Sequence, residues 1–197
     1  LFDGMSCGQL ALERANVSVD NYFACEIDKY AIQIAQKNFP DTFQWGDVTQ
    51  IKIPTRGSID LLMAGSPCQG FSFAGKQLAF DDPRSKLFFE FIRIMNELKP
   101  KYVLLENVRM KKQFEDVITE HIGFPPQLLN SSSLSPQNRW RNYWFGMLIN
   151  GKYEQIIIPP LEDKGLVLKD ILQTDHDEPP VPINERNARH HKNPDQK

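Results

Sequence analysis

Apolar residues fall in short blocks along the first two thirds of the chain, and several of the stretches between them carry helical spacing. Leu1-Phe2 reads as the end of a strand, followed by a turn at Asp3–Gly8 and a helix over Gln9–Ala15. Tyr22–Ile27 is a short apolar block with strand character, and Lys29–Asn38 has helical spacing before Pro40 stops it. A third strand is predicted around Thr42–Trp45. Ile59–Ala64 is apolar on both faces, as parallel strands buried between helix layers are. Leu87–Leu98 predicts a strong helix ended by Pro100, Tyr102–Leu105 the next buried strand, and Lys112–His121 another helix. Gln127–Leu129 and Asn142–Leu148 predict two late strands. Short strands alternating with helices of about 10–15 residues predict an α/β fold with a doubly wound, mostly parallel sheet.

The periodicity weakens from Asn150 onward. Ile156–Ile158 predicts a strand and Leu166–Leu172 a short helix. After Gln173 the sequence is polar and rich in Pro, Asn and His, which reads as linker. The expected organisation is therefore one α/β domain over 1–150, its end or a connector over 151–173, and a linker or the start of a further region over 174–197. Leu1 is not an initiator methionine, and the polar end lacks a finishing element, so the chain is expected to be a fragment.

A length of 197 residues and 41% apolar content suit one packed domain rather than a disordered chain. The net charge of −2 announces no polyanion partner by itself. Its distribution changes that picture, because residues 1–65 and 153–183 are net acidic while 76–152 and 184–197 are net basic. A neutral total thus hides a basic middle. Cys7, Cys25 and Cys68 are too few for a disulfide framework and read as reduced thiols of an intracellular protein. No apolar run reaches the ~18–20 residues of a membrane span, so no membrane partner is expected. His190-His191 has no further ligand spaced to help it, and no metal is expected.

Four segments carry candidate chemistry. Phe2-Asp3-Gly4-Met5-Ser6-Cys7-Gly8 joins the first strand to the first helix, and its glycines let the backbone turn and approach a ligand. Glu26 lies 18 residues beyond Gly8, where such folds set a carboxylate on ribose hydroxyls, and Asp47 ends the third strand in reach of an adenine amino group. The G-x-x-x-G spacing differs from that of pyrophosphate binders and favours a nucleoside ligand. An ordinary helix-leading turn with two surface acids is the plain alternative. Second, Gly65-Ser66-Pro67-Cys68-Gln69-Gly70-Phe71-Ser72 leaves a buried strand, where Cys68 is either a nucleophile or a structural thiol. Third, Glu106-Asn107-Val108 ends the next strand, so Glu106 either faces the same crevice as Cys68 or caps the following helix. Fourth, Gln137–Tyr143 alternates so that Arg139 and Arg141 share one side, with Trp140 on the other.

In that order the segments FDGMSCG, SPCQGFSFAGKQ, LLENV and QNRWRNYWFG resemble the C5-cytosine DNA methyltransferase family, over about residues 1–150. The resemblance implies a Rossmann-like fold of S-adenosyl-L-methionine-dependent methyltransferases. It implies a donor held by Phe2, Asp3, Gly4 and Gly8, with Glu26 on the ribose, Ile27 and Val48 around the adenine, Asp47 on its amino group, and Pro67 and Leu87 closing the pocket. It implies that Cys68 attacks C6 of a flipped-out cytosine, that Glu106 holds N3 and the exocyclic amine, and that Arg141 contacts O2 with Arg139 nearby. Gln69–Lys86 would close over the base, with Lys76, Arg84 and Lys86 toward phosphate. The implied products are 5-methylcytosine and S-adenosyl-L-homocysteine, and the implied partner is double-stranded DNA.

A cytosine in tRNA is the nearest alternative substrate, since one branch of the family acts on RNA. A catalytically silent regulator is another, and the intact Cys68, Glu106 and Arg141 weigh against it. The family's target-recognition region and two late motifs are not visible in this sequence. The expected location is cytoplasmic for a bacterial or phage-type protein and nuclear for a eukaryotic one. The oligomeric state is left open, with a monomer as one option.

Overall fold

The structure is a computed structural model, and it describes residues 1–53, 58–67 and 87–172. The predicted nucleophile Cys68, the loop 69–86 with Lys76, Arg84 and Lys86, and the tail 174–197 lie outside the described residues. The elements are α1 (Cys7–Arg14), β1 (Phe23–Ala24), α2 (Lys29–Asn38), β2 (Phe43–Gln44), β3 (Leu61–Ala64), α3 (Phe88–Leu98), β4 (Tyr102–Val108), α4 (Lys112–Ile122), β5 (Gln127–Asn130), β6 (Trp140–Ile149) and β7 (Lys152–Gln155).

Local chemistry sets the helix ends. Asp28 precedes α2, and its carboxylate accepts from Tyr30 N–H at 2.9 Å and Ala31 N–H at 2.8 Å, satisfying two donors of the first turn. Beyond α3, Lys99 turns into the left-handed region at φ 47° and Pro100 prevents continuation. Gly123, at φ 99°, ends α4, where a side chain would be strained.

Strand β1 pairs parallel with β2, and β3 pairs parallel with β4. The N-terminal stub links the two pairs: Leu1 N donates to Met63 O at 2.6 Å, Gly65 N to Leu1 O at 3.4 Å, and Asp3 N to Cys25 O at 3.1 Å. Leu1–Asp3 thus bridges Cys25 and β3 through backbone bonds, although neither Leu1 nor Phe2 forms a strand and Phe2 is left-handed at φ 56°. The later strands of this expected mostly parallel sheet are antiparallel. β6 runs antiparallel to β4, β5 and β7, giving a mixed sheet in the order β3-β4-β6-β5. Two smaller expectations also shift. The strand expected at Ile156–Ile158 lies a few residues earlier as β7, and Leu166–Leu172 contains one 3₁₀ turn, Leu168–Asp170, rather than a helix.

Alternation along β4 sends Val103, Leu105 and Asn107 into the core and leaves Tyr102, Leu104, Glu106 and Val108 half-buried on the other face. Helices α3 and α4 cover the first face with Phe88, Phe91, Ile94, Phe114, Ile118 and Ile122, against which Trp144 of β6 is fully buried. Helix α1 begins on the opposite face of β3, since a Cβ on Gly8 would stand 2.9 Å from the end of Met63. Helices on both faces are the doubly wound arrangement. Among the described residues no helix is long and apolar enough to cross a membrane.

Gly146 is where β6 meets its covering layer most closely. A Cβ there would lie 2.5 Å from the Phe124 ring and 2.9 Å from the backbone oxygen of Glu154 on β7. Gly146→Ala should therefore cost about 1–3 kcal/mol through overpacking. A drop in the urea midpoint with unchanged slope checks it, and a wild-type midpoint refutes the close fit.

Candidate active site

The chemistry-bearing residues gather at the carboxyl ends of β1, β3 and β4, the edge at which open α/β sheets bind ligands. On the β1 side, Glu26 is the organiser. Its Oε2 accepts from Gly4 N–H at 2.8 Å, and its Oε1 from Ile27 N–H at 2.8 Å and Asp28 N–H at 2.9 Å. A carboxylate offers about four acceptor positions, so this one keeps capacity for one more donor. Gly4 itself sits at φ 59°, and nothing lies within 4 Å of where a Cβ on it would stand, leaving its backbone open to a ligand. Ile27 next door is 75% exposed, an unusual setting for isoleucine.

Asp47 is exposed, and its Oδ1 accepts both the N–H and the hydroxyl of Thr49 at 2.9 Å. Val48 lies at 5% exposure within the hydrophobic core, and its carbonyl accepts from Arg93 of α3 at 3.2 Å. It therefore offers a ligand much less surface than Ile27 does. Pro67 and Leu87, the described residues flanking 68–86, are half-buried.

On the β4 side, Glu106 does not cap α4, whose N-terminal flank is Lys111. Its Oε1 receives Arg141 Nε at 2.8 Å, with the two side chains 33% and 19% exposed. Register explains the pair: Glu106 faces Tyr143 across the β4–β6 ladder and Arg141 faces Val108, so Arg141 reaches Glu106 diagonally on the face opposite α3 and α4. Burial, with the Glu106 charge next, pushes the Tyr143 phenol above its ordinary range, so it remains neutral beside the pair. Arg139 is exposed at the near end of β6, anchored through its backbone to Asn130 and Ser131.

The two clusters meet at Gly65. Its N–H bonds the Leu1 carbonyl, and a Cβ on it would stand 3.6 Å from Glu106 Oε2. One residue on, Ser66 is buried and receives Asn107 Nδ2 on its hydroxyl at 3.0 Å and, more weakly, on its carbonyl at 3.4 Å. Asn107 is 2% exposed, and its Oδ1 accepts from Val108 N–H at 2.8 Å. The segment entering Pro67-Cys68 is thus fastened to the residue that follows Glu106.

Ser66 and Asn107 stand inside the sequence motifs without a task that the motifs themselves assign, although a Ser and an Asn at two buried strand ends are the signal for such a tie. Tyr22 carries no motif at all, yet its hydroxyl donates to Asp3 Oδ1 at 2.6 Å. Cys25 is 3% exposed, and burial raises its thiol pKa, in keeping with an inert core thiol. A hollow of about 450 Å³ between β1 and β3 is lined by Leu1, Tyr22, Cys25, Leu61 and Met63 but by none of Asp3, Gly4, Glu26 or Glu106, so it lies beneath the site rather than forming it. Among the described residues no group of three or more His, Cys, Asp or Glu could hold a metal ion.

Known proteins are similar to this chain in sequence and in fold. A family model described as C-5 cytosine-specific DNA methylase matches residues 1–196. Type II methyltransferase M.HhaI of Haemophilus parahaemolyticus is 33% identical over 186 residues, covering 89% of this chain and 56% of the relative. Type II methyltransferase M.NgoBV of Neisseria gonorrhoeae is 43% identical over 112 residues, 55% of this chain and 26% of that protein. The chain thus spans about a quarter to a half of the length of these curated relatives. Among solved structures, a mutant of Spodoptera frugiperda DNMT2 superposes with a TM-score of 0.62 at 25% identity, covering 89% of this chain and 59% of that one. A protein described as a DNA modification methyltransferase encoded within an E. coli prophage superposes with a TM-score of 0.61 at 27% identity, covering 74% and 44%.

Proposed function

Because the chain belongs to the C-5 cytosine-specific DNA methylase family, we propose that it forms the catalytic part of an enzyme that methylates C5 of a flipped-out cytosine in duplex DNA. The observation that carries this reading is the Glu106–Arg141 pair, 2.8 Å apart on the sheet face left open by α3 and α4 and beside the backbone that enters Pro67-Cys68. A carboxyl group and a guanidinium fixed together suit the Watson–Crick edge of cytosine. The carboxyl meets N3 and the exocyclic amine, and the guanidinium meets O2. That edge is accessible only once the base has left the duplex.

The donor in this reading is S-adenosyl-L-methionine, which supplies a methyl group on a positively charged sulfur and departs as S-adenosyl-L-homocysteine. The residues fit it. Gly4 exposes an open left-handed backbone, Glu26 retains one acceptor position for a ribose hydroxyl, and Ile27 presents a bare apolar side chain to a purine face. Phe2, Asp3 and Gly8 complete the loop, Asp47 takes the adenine amino group, and Val48, Pro67 and Leu87 contribute packing around it.

The Cys68 thiolate adds to C6 of the base as Glu106, protonated when the base binds, gives its proton to N3, and Glu106 takes that proton back when the thiolate departs. C5 then forms its bond to the methyl carbon as the sulfur–carbon bond breaks and its electron pair stays on sulfur. Loss of the C5 proton to solvent and departure of the Cys68 thiolate from C6 restore the aromatic ring. Arg141 holds O2 while its ion pair orients Glu106, and exposed Arg139 suits backbone phosphate.

The test supplies methyl-labelled donor to the full-length protein with duplex DNA and, separately, with tRNA. Label is expected on C5 of cytosine in the duplex. Label confined to tRNA would move the function to an RNA substrate, and none in either would favour a silent binding protein.

A further inference from the structure

The loop leading into α1 adopts a conformation that its own sequence does not favour. Phe2, Gly4 and Ser6 have φ of 56°, 59° and 62°, so three alternate residues are left-handed and two of them bear a Cβ. Such a backbone persists only where its surroundings over-determine it. The surroundings here converge on Asp3. Its Oδ1 accepts the Tyr22 hydroxyl at 2.6 Å, its Oδ2 accepts the hydroxyl of buried Ser6, and its N–H bonds the Cys25 carbonyl at 3.1 Å. Both carboxylate oxygens are therefore engaged by side-chain hydroxyls of the protein.

Tyr22 belongs to neither the loop nor a helix. It is the residue just before β1, and its hydroxyl lies 3.1 Å from where a Cβ on Gly8 would stand. One hydroxyl thus lies against both Asp3 and the first turn of α1, where a Cβ at position 8 would crowd it. Burial, followed by the bond to Asp3, pushes the Tyr22 phenol far above its ordinary range, so the hydroxyl remains a donor at every working pH.

We propose that Tyr22 is a positioning residue for the methyl donor: its hydroxyl holds Asp3, and Asp3 holds the Phe2–Ser6 backbone in the shape that receives the ligand. The inference rests on the reading of this loop as the donor site and gives the Asp3 carboxylate the task of a clamp within it. A loop already set in its bound shape binds without the cost of ordering, so releasing the clamp weakens donor affinity rather than the chemical step.

Tyr22→Phe deletes the hydroxyl alone. In the full-length protein its Kd for S-adenosyl-L-homocysteine, measured by calorimetry, is expected to rise about tenfold, as for one lost hydrogen bond. At saturating donor, kcat should stay within about twofold, giving a KM effect without a kcat effect. Ser6→Ala, which removes the other hydroxyl from Asp3, should act in the same direction and serves if Tyr22→Phe does not fold. Combining Tyr22→Phe with Asp3→Ala should add little beyond Asp3→Ala alone, because Asp3→Ala already removes the bond that Tyr22→Phe breaks. A wild-type Kd in the folded Tyr22→Phe and Ser6→Ala variants would overturn the clamp while leaving the donor site standing. A fall in kcat with unchanged donor KM would also overturn it. A wild-type protein that binds neither donor nor product would overturn the donor-site reading and the clamp together.

Discussion

The full-length protein carrying Glu106→Gln is expected to bind donor normally and to lose turnover by about 10²–10⁴-fold. Glutamine keeps the size of glutamate and can still hydrogen-bond both N3 and the exocyclic amine of a cytosine. It has no proton to give to N3. The substitution therefore separates holding the base from stabilising the charge that nucleophilic addition at C6 drives into the ring. It also takes the charge from the partner that Arg141 meets at 2.8 Å, so the contact that aims the guanidinium becomes a weaker neutral hydrogen bond. Donor affinity should survive because the donor loop is organised by Glu26 and Asp3, neither of which bonds Glu106. Calorimetry with S-adenosyl-L-homocysteine and a single-turnover methylation assay read the two effects separately. Turnover at the wild-type rate would remove Glu106 from the chemistry.

The periodicity of the chain locates almost every element, because burial on one helix stripe or one strand face is written directly in residue spacing. The helix 88–98 and the strand 102–108 are of this kind. The direction of β6 is not legible in the same way. Its buried positions Asn142, Trp144 and Gly146 alternate whether a neighbour runs parallel or antiparallel, and only the ladder with β4 decides between them. Glu106 and Arg141 lie in separate motifs and meet across the β4–β6 ladder, a contact that neither motif states. Contacts that depend on folding distant segments together are not written in residue spacing. Tyr22 lies 19 residues from Asp3, and nothing in its neighbourhood marks it. Val48 is 5% exposed and packs in the core, a burial that its place beside Asp47 in the sequence does not mark.

Cys68→Ala is expected to abolish methylation and to eliminate a covalent adduct that the unsubstituted protein forms with duplex DNA containing 5-fluorocytosine. Fluorine at C5 leaves no proton to lose after methyl transfer, so the thiolate cannot depart and the protein stays bound to C6 through denaturation. Alanine has no nucleophile, so neither adduct nor turnover can arise by this route. The nearest described residues show how the approach to Cys68 is prepared. Ser66, two positions earlier, is buried and tied to Asn107, the neighbour of Glu106 on β4. Ser66 and Asn107 thus tie the ends of adjacent strands β3 and β4 side chain to side chain, and under the proposed mechanism such shared anchoring would make the encounter of nucleophile and acid effectively unimolecular. Asn107 belongs to that anchoring and Cys68 to the bond-making itself, so only loss of Cys68 should abolish the trap outright. An adduct of undiminished yield in Cys68→Ala would assign the nucleophile to another residue and detach the Glu106–Arg141 pair from a thiol mechanism.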